Sequence, residues 1–179
     1  MEQSISSLGH GFDVEAIRRA AANIDDGAVT EGYAADREAV IAMLNSALAT
    51  ELLCVLRYKR HYFTVSGPNN GALKAEFLEH AQQEQEHADR IAERIVQLNG
   101  SPNFDPATLT ARSHAEYDDS EDTQAMVRAD LIAERVAIES YRQMILAIGD
   151  KDPTTRQMLV EILAVEEEHA DDMSDFLVP

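Results

Sequence analysis

Six side chains in this sequence have the types and the spacing to hold a pair of metal ions. Glu84-Gln-Glu-His87 sets a carboxylate and an imidazole three residues apart, and Glu51 stands 33 residues before Glu84. Glu166-Glu-Glu-His169 repeats the arrangement, with Glu134 32 residues before Glu166. Positions three apart share one face of a helix, so Glu84 with His87, and Glu166 with His169, can each aim at a single point. Four carboxylates and two imidazoles in this order match the known ligand pattern of a carboxylate-bridged two-metal site in a four-helix bundle. A carboxylate has two oxygens and can bridge two ions, whereas an imidazole binds one ion through one nitrogen. The expected division makes Glu84 and Glu166 bridges and Glu51 and Glu134 terminal ligands, with one histidine on each ion. Such a set suits iron or manganese, and zinc can occupy it. Open positions remain for oxygen or peroxide.

Burying four carboxylates among apolar side chains is costly, and two dications are the simplest compensation. The histidines must be neutral to bind them. One such Glu-x-x-His in a glutamate-rich chain is a weak signal. Two, each with an upstream glutamate at a matching offset, are a strong one against the plain alternative of a charged bundle with accidental spacing.

Neighbouring acids compete for these roles. Glu139 lies five residues past Glu134, about 140° around a helix, so the two cannot both face inward. Glu134 is preferred because Leu131, Val136, Ala137, Ile138 and Tyr141 put it beside an apolar face. Glu86, Glu167 and Glu168 rotate outward. His80, one turn before Glu84, is an accessory ligand or, the favoured reading, a histidine hydrogen-bonded behind the ligands. Tyr58 is two turns after Glu51 on the same face. It is either a residue that bonds near the metals and donates an electron, or a core tyrosine with a paired hydroxyl. Cys54 reads as a buried, inert thiol.

Four long helices must position these groups. Asp36 caps a first, expected over about 37–65, with Val40, Met43, Leu44, Ala47, Leu48, Leu52, Val55 and Leu56 at helical spacing. The Ser66–Gly71 turn cluster stops it. A second, over about 72–99, closes at Asn99-Gly100. Residues 100–120 carry two prolines and no sustained period, which fits a crossover running the length of a bundle, with a short helix near 106–112. A third helix spans about 122–148. Pro153 opens a fourth that runs to about Phe176. The two halves look alike: one helix out and one back returns the chain to the same height. Internal duplication is a fair inference. Ahead of the bundle, residues 1–35 form an extension, with Asp13 capping a short helix to about Ile24 that carries Val14, Ile17, Ala21 and Ile24 on one face.

A length of 179 residues makes about one domain, enough to bury roughly 70% of the unfolded surface. No uninterrupted apolar run reaches the ~18 to 20 residues of a membrane span. The N-terminal residues lack the charged-then-apolar pattern of a secretory leader, so a cytoplasmic location is expected. The single cysteine excludes an internal disulfide framework and a four-cysteine metal site. A net charge of −18 argues against direct contact with nucleic acid. It accounts for solubility and also suits a surface that gathers cations. The last nineteen residues hold seven acids and no Lys or Arg, a helix that would repel itself without cations or partner helices.

The segments LNSALATELLCVLRYKRHYF, EQEHADRIAERIVQLNGSPNF, VRADLIAERVAIESYRQMI and MLVEILAVEEEHADDM resemble the ferritin-like superfamily, bacterioferritins most closely, over about 38–176. The resemblance implies an all-α, up-down-down-up four-helix bundle (36–179) with a long crossover between its second and third helices. It places Glu51, Glu84, His87, Glu134, Glu166 and His169 on the family's ferroxidase ligands, with Tyr58 on its neighbouring tyrosine. It further implies oxidation of Fe(II) by O2 or H2O2 at two iron ions per subunit and mineral storage in a hollow shell. Three departures matter. Gln85 stands where bacterioferritins carry a haem-ligating methionine, so haem is not expected. The sequence ends ten residues after His169, without a fifth helix, which favours a Dps-like 12-mer over a 24-mer. Glu79 and Gln83 replace the His and Asp of an inner-surface iron site found in some relatives. The N-terminal extension is not typical of bacterioferritins, and it is not a Lys-rich DNA-binding tail either.

Three function classes follow. The first is a ferroxidase that stores or detoxifies iron. The second is a diiron or dimanganese peroxidase or oxidase that stores no mineral. The third is a non-catalytic metal buffer or helical interaction module.

Overall fold

The computed structural model describes residues 11–177 apart from position 26. Its helices are α1 (Val14–Ala20), α2 (Arg37–Thr64), α3 (Gly71–Gln97), α4 (Leu109–Arg112), α5 (Thr123–Ile148) and α6 (Pro153–Asp175). Aspartates start three of the four long helices by accepting orphan amide protons. Asp36 takes that of Ala39, Asp122 that of Ala125 and Asp152 that of Thr155. Pro153 sits in the first turn of α6, where its missing N–H has no consequence. At the end of α3, Asn99 rather than Gly100 takes the left-handed conformation (φ 61°), and the Gly100 amide donates back to the Ile95 carbonyl. Gly100 is needed for another reason: a Cβ there would stand 2.9 Å from the Ile41 side chain.

The four long helices form an up-down-down-up bundle. Its topology can be read from cross-helix bonds. The crossover climbs beside α2, touching Asn45 through Ser101 and Asn103, Thr50 through His114, Arg57 through Glu116, and Arg60 through Asp119. It thus delivers α5 to the far end of α2, and α5 descends antiparallel to it: Arg57 meets Asp130, Tyr58 meets Glu134, and Glu51 meets Tyr141.

Two large clusters dominate the apolar core, with two smaller ones under the crossover. One cluster, with Leu44, Leu48, Ile91, Ile95, Leu159 and Ile162, fills one end. Another, with Tyr58, Leu73, Phe77, Met126, Val127 and Met173, fills the other. Between them lies a layer of buried ionisable groups.

A second buried polar group, unforeseen in the sequence, pins the crossover end of the bundle. The Arg57 Nε donates to Asp130 Oδ1 at 2.7 Å, and His61 Nδ1 lies 2.8 Å from Asp130 Oδ2. All three are 0% exposed, so the charges cannot lean on water. Removing one partner strands the other. Asp130→Ala should therefore cost about 3–5 kcal/mol in denaturant unfolding. A loss below ~1 kcal/mol would mean the cluster contributes no more than an exposed pair.

Three expectations need correcting. The N-terminal helix stops at Ala20 rather than near Ile24, and its apolar face is not buried: Val14, Ile17 and Ile24 are exposed. Leu56 also points outward, while Arg57 takes the interior position beside it. Five residues past Glu51 is about 140° around α2, away from the core. Finally, although no unbroken apolar run exists, an 18-residue window of α2 has mean hydropathy 1.9, enough by composition to cross a bilayer. Half of that window is buried inside the protein, and it belongs to the helix carrying Glu51, which is how a bundle's core helix reads.

Candidate metal centre

The polar layer brings all six expected residues together, one each from α2 and α5 and two each from α3 and α6. Glu84, Glu134 and Glu166 are fully buried, and Glu51, His87 and His169 nearly so. Their ligating atoms form two overlapping groups, each within a 4.8 Å span. The first is Glu51, Glu84, His87 and Glu166; the second is Glu84, Glu134, Glu166 and His169. Only Glu84 and Glu166 belong to both, which is the geometry of two bridges. His87 Nδ1 faces Glu166 at 2.9 Å, Glu51 at 3.3 Å and Glu84 at 3.6 Å. His169 Nδ1 faces Glu84 at 3.5 Å, Glu134 at 3.8 Å and Glu166 at 3.9 Å.

Whether dications fit can be tested on the hydrogen bonds. Both oxygens of Glu84 and of Glu166, Oε2 of Glu134 and Nδ1 of His169 are buried with no hydrogen-bond partner. Buried polar atoms are almost always paired. Six orphans at one point, all lone-pair donors, fit a pair of cations with a hard oxygen and nitrogen shell. The outer atoms are satisfied and hold the inner ones in place. His169 Nε2 bonds Gln83 Oε1 at 2.7 Å, which leaves Nδ1 free to ligate. Tyr58 donates to Glu134 at 2.5 Å, and Tyr141 donates to Glu51.

Protons fill the charge balance where metals are absent. Burial, and then the charge of Glu84, raise Glu51 to about 8. Burial and the three other carboxylates push Glu166 well up. Burial would likewise raise Glu84, but contact with Glu51, His169 and His87 holds it well below the usual range. Glu134 is held low against burial by His169 and Glu166. Burial opposes charge on His87 and His169, yet Glu51 and Glu84 lift the first to about 10, and Glu134 and Glu84 lift the second to about 9. Protons held on the raised groups thus offset the negative charge of the layer, and two dications against four carboxylates would offset it as well.

The rejected competitors do point outward. Glu86, Glu139, Glu167 and Glu168 are exposed, Glu139 and Glu167 paired with Arg142. Gln85 is exposed and bonds Asp89. Cys54 is buried, its thiol pushed up by that burial. His80 stands behind the pair with Nδ1 3.2 Å from the Tyr58 hydroxyl. Tyr141 went unassigned in the sequence beyond marking an apolar face. Its signal was available: it lies seven residues past Glu134, as Tyr58 lies seven past Glu51.

A four-helix bundle with two overlapping carboxylate–histidine groups at its centre has the donors to hold two metal ions. The model of the ferritin-like domain matches residues 41–178, and the chain belongs to that family. The chain is 31% identical to a DNA protection during starvation protein of Halobacterium salinarum, with 80% of this chain and 81% of the relative covered. It is 31% identical to a bacterioferritin of Brucella melitensis, with 74% and 78% covered. Among solved structures, the bacterioferritin-related protein of Bacteroides fragilis, described as a dodecameric thioferritin, superposes with a TM-score of 0.77 at 34% identity. That match covers 80% of this chain and 87% of the other. By name, the first of these relatives protects DNA during starvation, and the others are a bacterioferritin and a bacterioferritin-related protein.

Proposed function

We propose that this protein is a ferroxidase that binds two Fe(II) ions per subunit at Glu51, Glu84, His87, Glu134, Glu166 and His169. It passes the oxidised iron to the interior of a shell built from copies of itself. The observation that carries this reading is the pair of overlapping ligand groups whose shared glutamates accept no hydrogen bond. Manganese or zinc can fill the same donors.

Iron is here the substrate. Each Fe(II) gives up one electron, so a pair reduces H2O2 and two protons to two waters, or O2 and two protons to H2O2. The protein's own part is positioning and proton balance. Glu84 and Glu166 hold the two ions close, so both electrons leave from one place. Tyr58 and Tyr141 fix the terminal carboxylates by hydrogen bonds, and the two irons supply both electrons of either balance, so none is required from Tyr58. Tyr58→Phe should leave helicity and metal count unchanged and slow Fe(II) oxidation about 10- to 100-fold, as loss of a ligand's supporting bond does. A parental rate in stopped-flow absorbance would return Tyr58 to a packing role.

A twelve-subunit shell is favoured, and Phe63, Ile132 and Leu146, at 73%, 64% and 81% exposure, offer apolar surface for contacts between copies. Some relatives are named for binding DNA; a net charge of −18 argues that this chain does not. No haem is assigned, since Gln85 replaces the ligand that would hold it. The lone unpaired cysteine accords with a cytoplasmic setting.

The test is anaerobic Fe(II) titration followed by admission of air, read by absorbance, beside a native mass. The expected result is a large oligomer that oxidises two irons per subunit quickly and then accumulates tens or more per shell. A monomer or dimer holding only two metals would remove storage. Rapid peroxide consumption without mineral growth would assign the pair to a peroxidase or oxidase instead.

A further inference from the structure

One turn beyond the pair, the same two helices present a second set of lone pairs. Glu76 and His80 are four apart on α3, and Asp172 follows His169 by three on α6. His80 is 1% exposed, and its Nε2 has no hydrogen-bond partner. That nitrogen points at Glu76 Oε1, 3.3 Å away, and Asp172 Oδ2, 3.5 Å away. The ligating atoms of the three residues lie within 4.8 Å of one another.

The tautomer of His80 follows from its other side. The Tyr58 O–H is committed to Glu134 at 2.5 Å. The His80 Nδ1 at 3.2 Å must therefore donate its N–H to the Tyr58 oxygen, which leaves Nε2 a bare lone pair. A buried nitrogen lone pair facing two carboxylates has nothing to accept from, and an arrangement of three acceptors is repulsive until something positive sits among them. The carboxylates remain in touch with solvent: Glu76 is 28% and Asp172 41% exposed at the side chain. Glu79 and Glu168 add negative potential around Glu76. The imidazole of His80 stacks on that of His169, centroids 3.9 Å apart, so this group abuts the buried pair without sharing a ligand with it.

We propose that Glu76, His80 and Asp172 form a third divalent-cation site, open to solvent and separate from the buried pair, that takes Mn(II), Fe(II) or Zn(II). Two carboxylates and one imidazole make a mixed oxygen and nitrogen set with room for water at the remaining positions. The assignment does not depend on what the pair oxidises.

The test uses crystals of the full chain soaked in Mn(II) and read by anomalous difference density, for the parent and for the double variant Glu76→Gln, Asp172→Asn. Both replaced side chains are partly exposed and keep their shape, and neither belongs to the pair. The parent should show a peak among Glu76, His80 and Asp172 beside the two at the pair. The variant should lose that peak alone, with Mn(II) bound per subunit in solution falling from three to two. No peak there at Mn(II) concentrations that fill the pair overturns the site, and so does a peak that survives in the variant. A peak there with the pair empty would leave this site standing and sink the reading of the pair.

Discussion

Glu84→Ala is expected to abolish rapid Fe(II) oxidation, leaving no more than about 1% of the parental rate. The reason is positional. Glu84 is one of only two residues that belong to both ligand groups, so its loss strips an oxygen from each ion at once. Loss of a mere supporting bond to a ligand costs about 10- to 100-fold, and a shared ligand must cost more. Glu51→Ala should be milder in metal count, since Glu51 serves one group only: one ion per subunit should remain, with rapid oxidation lost because the second electron has no near source. Folding is not expected to fail in either variant, because the remaining carboxyls and imidazoles can gain or shed protons when one carboxyl is removed. Helicity and native mass check this before kinetics are read. Parental oxidation by Glu84→Ala would show that iron is oxidised elsewhere, and the non-catalytic reading would then stand.

Loading the pair should release protons, up to four per subunit, and affinity should collapse as pH falls. The groups that must lose protons are Glu51, raised to about 8, Glu166, raised well above the carboxylate range, His87 at about 10 and His169 at about 9. All four pKa values are raised, so protons on these groups compete with metal increasingly as pH falls. Each unit of falling pH then lowers the product of the two association constants by up to ~10⁴, or ~10² per ion. Above pH ~10 the dependence should flatten. Calorimetry of Zn(II) binding in buffers of different ionisation enthalpy counts the protons directly. A count of one or none would mean that the carboxylates are ionised and the histidines neutral before metal arrives, and the charge balance derived for the apo site would be wrong.

Much of this was legible in the chain because helices are local. A face repeats about every 3.6 residues, so Glu84 with His87, and Glu166 with His169, could be paired without knowing the fold. Helix starts are local too: Asp36, read from the sequence as a cap, acts on an amide three residues away, and the structure adds Asp122 and Asp152 acting the same way. The heights of Glu51 and Glu134 followed from helix length alone. The same helical phase sets Glu139 outward, and it sets Leu56 outward too, although its apolar type suggests burial.

Tertiary contacts decided the rest. That Asp130 would neutralise Arg57 and engage His61 depends on the crossover, which sets α5 antiparallel to α2; residues 73 and 69 apart in sequence cannot be paired by period. The second tyrosine, Tyr141, became part of the site only when α2 met α5. The orientation of His80 was likewise undetermined, since its tautomer depends on where Tyr58 spends its proton. What the linear order determined was which side chains share a helix face; which faces meet, and which lone pairs are left over when they do, is a property of packing and burial, because only there does water stop satisfying them.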